Sequence, residues 1–173
     1  MTTEMKEIII KKEDAVFWLD KSGCWCNDGG KFRKKKIIDF FHQSIANDDD
    51  GYFVSQIRDD ILEKVYFRYE DTALFVFEVS FNDDIVLKLN TGKQLPLIPS
   101  NLYIMNDNLY MTREDETIKF SERALMQISS IIEEDTDSRE NRDKRDGSLA
   151  LNWKGTIFRI MEKTTQPGLN LDS

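Results

Sequence analysis

Histidine and cysteine are scarce in this chain, and their scarcity removes classes of function. Of 173 residues, one is histidine, two are cysteine and three are proline. A tetrahedral zinc site needs four ligands. His42, Cys24 and Cys26 supply three, a carboxylate would have to complete the set, and no metal or cofactor is expected. The thiols of Cys24 and Cys26 stand one residue apart, too tight a ring for an unstrained disulfide. Reduced thiols in a reducing compartment are the simpler expectation. A nucleophilic cysteine paired with His42 lacks a third group to orient it, so no catalytic residue is assigned.

Long hydrophobic runs are missing as well. The longest, Ala15 to Leu19 and Ala73 to Phe77, fall far short of the roughly 20 residues of a membrane span. No apolar stretch near the N-terminus suits a signal peptide, and a cytoplasmic protein is expected. Positive charge is in deficit: 32 acidic residues against 24 basic give a net charge of −8. Such a chain is repelled by phosphate backbones and by anionic membrane surfaces, so neither nucleic acid nor membrane is expected as a partner.

Aromatic residues are plentiful by contrast. Eleven Phe, three Trp and five Tyr suffice for an ordinary core. The pattern along the chain is α+β: a mostly antiparallel meander or rolled sheet, with one helix in the N-terminal half and a C-terminal helix packed on the sheet. Residues 4–14 place charge around Ile8, Ile9 and Ile10 and fit either a short helix or a lead-in strand. The runs Ala15 to Leu19 and Cys24 to Cys26, separated by Asp20-Lys21-Ser22-Gly23, predict a hairpin. Between Arg33 and Ile45 the period changes. Ile37, Phe41 and Ile45 recur every four residues, widened by Ile38 and Phe40, which predicts an amphipathic helix. Strands follow at Tyr52 to Ser55 and around Val65 to Tyr69. The turn Glu70-Asp71-Thr72 then leads into Leu74 to Phe81, with Phe75, Phe77, Val79 and Phe81 on one inward face. Residues 15–134 are expected to collapse around this single aromatic layer.

Further strands are expected at Ile85 to Leu89, at the proline-bearing edge Leu95 to Pro99, and at Leu102 to Met105, Leu109 to Thr112 and Ile118 to Phe120. Ser121 reads as the N-cap of a closing helix over 122–134. From Glu133 to Ser148 no apolar residue occurs, which predicts a solvated linker. Leu149 to Met161 is then an isolated apolar island that either folds back onto a sheet edge or docks on a partner.

One stretch carries a family resemblance. Phe17-Trp18-Leu19-Asp20, Gly23, Trp25, Gly29-Gly30 and Phe32-Arg33 precede the helix; Asp49-Asp50-Gly51-Tyr52-Phe53 and Tyr69-Glu70-Asp71-Thr72-Ala73-Leu74 follow. In order and spacing this resembles the bacterial DUF1285 family. Thr72-Ala73 stands where the family has proline after its Glu-Asp pair. The resemblance implies two small α+β units, each a rolled sheet, and no particular activity; ligand sensing in signalling is what it suggests. The chain is expected to divide into an N-terminal unit at 1–81 that resembles the family's first half, a smaller β-rich unit ending in a helix at 82–134, and a charged linker and tail at 135–173 bearing the island 149–161.

Candidate sites follow from these patterns. Asp48-Asp49-Asp50-Gly51 fails the EF-hand register at Ala46 and Ile57, and turn chemistry accounts for it. Lys34, Lys35 and Lys36 cannot all face one ligand and read as a solvated face; Arg33 is the centre of any anion site there. Glu70 and Asp71 are read as a hairpin tip. The candidate ligand-binding set is Arg33, Tyr52, Glu70 and Asp71, and the candidate docking set is Trp153, Ile157 and Phe158. The leading expectation is a binding or regulatory module for a small molecule or partner protein. The alternative is a small enzyme using carboxylates in a cleft between the two halves.

Overall fold

The computed structural model describes residues 4–135 and 147–164. Sixteen strands and two helices occur among them. In chain order they are β1 (Lys6–Ile10), β2 (Phe17–Leu19), β3 (Trp25–Asn27), β4 (Gly30–Lys31), α1 (Lys35–Gln43), β5 (Ile45–Asp48), β6 (Gly51–Arg58), β7 (Ile61–Tyr66), β8 (Leu74–Phe81), β9 (Ile85–Leu89), β10 (Gln94–Pro96), β11 (Leu102–Met105), β12 (Asn108–Arg113), β13 (Glu116–Phe120), α2 (Glu122–Ile128), β14 (Ile132–Glu134), β15 (Leu149–Trp153) and β16 (Thr156–Glu162). They group into two compact units: residues up to 75 with 88–94, and residues 76–87 with those from 95 onward. Instead of one aromatic layer there are two cores.

The first unit contains the three-stranded sheet β2-β3-β4 and the four-stranded sheet β1-β7-β6-β5. The lead-in is a strand: β1 pairs with β7 in parallel, Lys6 opposite Ile61 through Ile10 opposite Val65. A parallel partner so distant in sequence leaves no local signal, which is why a helix was equally plausible. The hairpin β2–β3 is antiparallel, with Leu19 opposite Trp25. Its turn is fixed by Asp20, whose Oδ1 accepts from the N–H groups of Ser22 and Cys24, each at 2.9 Å. Gly23 has φ +79°, and a Cβ there would stand 3.0 Å from the Phe75 ring, so any larger residue is strained and crowds that ring.

Helix α1 is amphipathic, but its inward stripe is shifted by one position. Ile38, Phe41 and His42 are turned inward, whereas Ile37 and Phe40 are 43% and 51% exposed. The spacing 38, 41, 42 is an i, i+3, i+4 stripe with a histidine at one of its positions; the helix ends at Gln43, and Ile45, expected on it, opens β5 opposite Val54.

The nine-stranded sheet has the order β10-β9-β8-β13-β12-β11-β16-β15-β14, with the proline-bearing β10 at an edge. β11–β12 and β12–β13 are antiparallel hairpins, but β11 pairs with β16 in parallel. The chain is therefore α+β and sheet-rich, and its sheets are mixed rather than a pure meander. On β8, Phe75 and Val79 are buried and Phe77 is half-buried, but Phe81 is 38% exposed beside Trp153 (ring centroids 6.1 Å apart). The inward quartet is thus reduced to its first three members.

Ser121 caps α2, its Oγ accepting from Ala124 N–H at 3.2 Å. The helix ends at Ile128, earlier than expected; a 3-10 turn Ser129–Ile131 follows, and Ile132–Glu134 becomes β14. The physical reason is pairing: Ile132 to Glu134 lie antiparallel to Leu151 to Leu149 of β15. The expected linker therefore begins as strand. Its 136–146 portion, like the tail beyond 164, lies outside the described residues. The apolar island is the hairpin β15–β16, folded into the sheet.

Candidate functional site

The core of the first unit is built around a polar contact. Trp25 and Phe67 are fully buried, and Phe17, Phe41 and Phe67 meet the Trp25 ring at centroid distances of 5.7, 5.3 and 4.8 Å. Into this cluster α1 delivers His42, 4% exposed. Its Nδ1 accepts from the Trp25 indole N–H at 3.2 Å and lies 3.2 Å from the Asn90 amide nitrogen. The Asn90 orientation is fixed independently, because its Oδ1 accepts from Phe75 N–H at 3.0 Å while its Nδ2 donates to Ala73 O at 3.0 Å. Two donors converge on Nδ1, so the ring is neutral with its proton on Nε2. Burial holds the His42 pKa down to about 4, with the nearby Asp39 carboxylate opposing the shift. His42, considered from the sequence as a metal ligand or a catalytic partner, is a buried acceptor.

Beside that core the chain forms an open cleft of about 430 Å³, lined by Trp18, Leu19, Asp20, Asp28, Arg68, Tyr69 and Glu70. Its volume falls within the roughly 300–1,000 Å³ of small-molecule sites. One backbone contact creates it. After β7 the chain is laid alongside β2, Arg68 forming a parallel bridge with Trp18 and its carbonyl accepting from Leu19 N–H at 3.0 Å. The bridge sets the Arg68 guanidinium 5.1 Å from the Trp18 ring centroid. Tyr69 forms another wall and is backed by Tyr52, edge-on at 5.2 Å. Asp20 and Asp28 come from the turns that flank β3, and Lys31 reaches Asp20 at 3.8 Å.

The four expected ligand residues are thus divided. Glu70 lines the cleft, and Tyr52 stands one layer behind through Tyr69. Asp71 is exposed outside the lining, and Arg33 is exposed on the segment entering α1. Glu70 and Asp71 do not sit at a hairpin tip, because β7 and β8 belong to different sheets; they lie on the connection between them. Of the lining, Trp18, Leu19, Asp20, Asp28, Arg68 and Tyr69 lie outside the sequence-based set. Trp18 and Arg68 are separated by 50 positions, and their pairing is a single bridge without a sequence pattern.

Other candidates have local explanations. Asp48 Oδ2 accepts from Tyr66 O–H at 2.6 Å and from Lys64 Nζ at 2.9 Å. These bonds hold the Asp48 carboxyl below its usual range, the tyrosine contributing most. Its Oδ1 accepts from Asp50 N–H at 3.0 Å, a turn closure. Lys35 pairs with Asp39 on the exposed side of α1. Burial, and then the neighbouring Asp20, raise the pKa of both Cys24 and Cys26, so the thiols are protonated at neutral pH and poor nucleophiles. A second hollow, bounded by Phe17, Phe40, Phe41, Val54 and Val65, has about 50 Å³ and is too small for a metabolite.

On β15–β16, Trp153 and Phe158 share a face, each directly opposite a residue of that face, whereas Ile157 pairs with Asn152 and points to the other. The three docking candidates therefore do not form one surface. No helix among the described residues is long and apolar enough to cross a membrane.

No protein-family model and no curated protein matches the sequence. Among solved structures, the chain is similar to a DUF1285 family protein from Silicibacter pomeroyi DSS-3. The TM-score is 0.57 at 14% identity, over 90% of this chain and 84% of that one. A DUF1285 family protein from Shewanella baltica OS155 is matched at 17% identity over 69% of this chain and 94% of that one, with a TM-score of 0.49. The first likeness establishes the fold. The chain has the fold of the family that its residues 17–79 resemble.

Proposed function

We propose that this protein is a small-molecule binding module whose site is the cleft of Trp18, Asp20, Asp28, Arg68, Tyr69 and Glu70, acting in regulation rather than catalysis. The observation that carries this reading is a formed, metabolite-sized cleft lined by two aromatic rings and four charged side chains. Its walls are anchored by Asp20 in a capped turn, by the Trp18–Arg68 bridge, and by Tyr52 behind Tyr69. Neither cysteine nor His42 is among its lining residues, so a thiol–imidazole pair is not what this cleft offers. Carboxylates in the same cleft keep an enzyme with Glu70 as general base as the second reading.

A thermal-shift screen against a metabolite panel tests the proposal. A ligand at a hundred times its Kd stabilises by about 2.7 kcal/mol, which for a chain of this size raises Tm by roughly 5–10 °C. Trp18→Ala should abolish the shift while leaving the far-ultraviolet circular dichroism unchanged. A panel without a hit, or a hit indifferent to Trp18→Ala, rejects the cleft as the site. Turnover of a hit that Glu70→Gln removes, with binding intact, selects the enzyme reading instead.

A further inference from the structure

We infer that the ligand of this cleft is an organic cation, a protonated amine, guanidinium or quaternary ammonium, and that the Arg68 guanidinium occupies the aromatic seat such a ligand takes. The inference rests on the reading of the cleft as a binding site and adds the chemical class.

Three observations carry it. The first is charge: the lining holds three carboxylates, Asp20, Asp28 and Glu70, against one guanidinium. Lys31 approaches Asp20 at 3.8 Å, which leaves Asp28 and Glu70 as the available acceptors. An anionic ligand entering this lining meets repulsion from most of it, and a neutral apolar one leaves the carboxylates unused. The second is the aromatic wall. A cation over a tryptophan face is attracted by the ring quadrupole, the more so the less water reaches it. The Trp18 face already receives a cation from within the chain, Arg68 at 5.1 Å, so its orientation suits that contact. The third is how Arg68 is held. Its backbone is fixed by the bridge to Trp18 and the bond to Leu19 N–H, while its side chain is exposed. The guanidinium can therefore leave the ring without moving the wall that carries it.

On this account Arg68 competes with the ligand in two ways, by covering the ring and by like charge. Removing it should strengthen binding, the opposite of what a carboxylate-recognising arginine would show. Isothermal titration of the full chain with agmatine as cationic probe and succinate as dianionic control separates the two. Wild type should bind agmatine and not succinate. Arg68→Met, which keeps the apolar stem, should tighten agmatine about tenfold. Asp28→Asn with Glu70→Gln should weaken it by at least about tenfold, and 0.5 M salt should weaken it further. The Trp18 indole signal in a nitrogen–proton correlation spectrum should move with saturation, locating the probe.

Weaker agmatine binding in Arg68→Met, no agmatine binding in any variant, or binding that leaves the Trp18 signal in place overturns the inference. Succinate binding that Arg68→Met abolishes also overturns it, yet leaves the cleft standing as a ligand site. The two readings therefore fail separately.

Discussion

The two units solve the same problem, a buried sheet core, by different means. Among the described residues four polar or charged side chains are buried, and three of them, His42, Thr72 and Asn90, belong to the first unit; Lys119 belongs to the second. The first core is tied by directional bonds that join β3, α1 and the loop after β9 through Trp25, His42 and Asn90. The second is a ladder of apolar side chains, with Met111, Ile118, Ile128 and Leu151 fully buried and their places set by strand register. A bonded core admits one arrangement and fails when one partner is lost; an apolar ladder needs only the right volume. The cleft is attached to the unit with the directional core, which is where preorganisation is worth most.

Near-isosteric substitution is the strongest way to break this contrast. Asn90→Leu preserves volume but orphans Phe75 N–H and Ala73 C=O, both inside the core. Each abandoned group costs about 1–3 kcal/mol, so a loss of about 4 kcal/mol is expected. Leu151→Met, equally buried in the second unit, should cost under about 1.5 kcal/mol. Urea unfolding at pH 7 measures both, and equal losses would dissolve the distinction.

Acid should find the same difference. His42 must stay neutral to accept two hydrogen bonds, and its pKa falls from 6.5 to about 4 on folding. Between those values the unfolded chain binds the extra proton, so the stabilisation is complete above pH 6.5 and disappears as pH falls toward 4. The full loss is about 3 kcal/mol, of which about 2 kcal/mol is gone by pH 5. With one histidine in the chain, the assignment is direct. Urea midpoints at pH 7, 6 and 5 should show the slope, and His42→Gln should flatten it. A slope that persists in the variant would place the titration elsewhere.

How much of this was legible in the sequence depends on the range of the interaction. Strand β8, the proline edge β10, the hairpin β2–β3 and the Ser121 cap rest on neighbours within a few residues, and the sequence carries them. The parallel pairing of β1 with β7 and of β11 with β16 does not, since parallel partners lack a turn to announce them. The face of α1 was misjudged because Ile37 and Phe40 obscured the stripe through His42, a polar residue at a core spacing. Of the cleft lining, Glu70 belongs to a motif that the sequence displays. The pairing of Trp18 with Arg68 is not displayed there, because one bridge brings them together.

The smallest effect is also where the units should stop differing. Asp59 and Asp60 carry φ of 48° and 62° between β6 and β7 in the first unit; Asn106 and Asp107 carry 50° and 60° between β11 and β12 in the second. Two successive positive φ values define the turn whose twist suits a two-residue hairpin, and glycine is favoured at its second position. Aspartate tolerates that region at some strain, while glycine removes the strain and adds unfolded-state entropy, so the net gain is small. Asp60→Gly and Asp107→Gly should each stabilise by about 0.5 kcal/mol, or about 1–2 °C in Tm. Turn strain is settled within four residues and is indifferent to what fills the core beneath it. Matching shifts in calorimetry are therefore expected from both variants, and a gain in one with a loss in the other would show that the turns, too, answer to their cores.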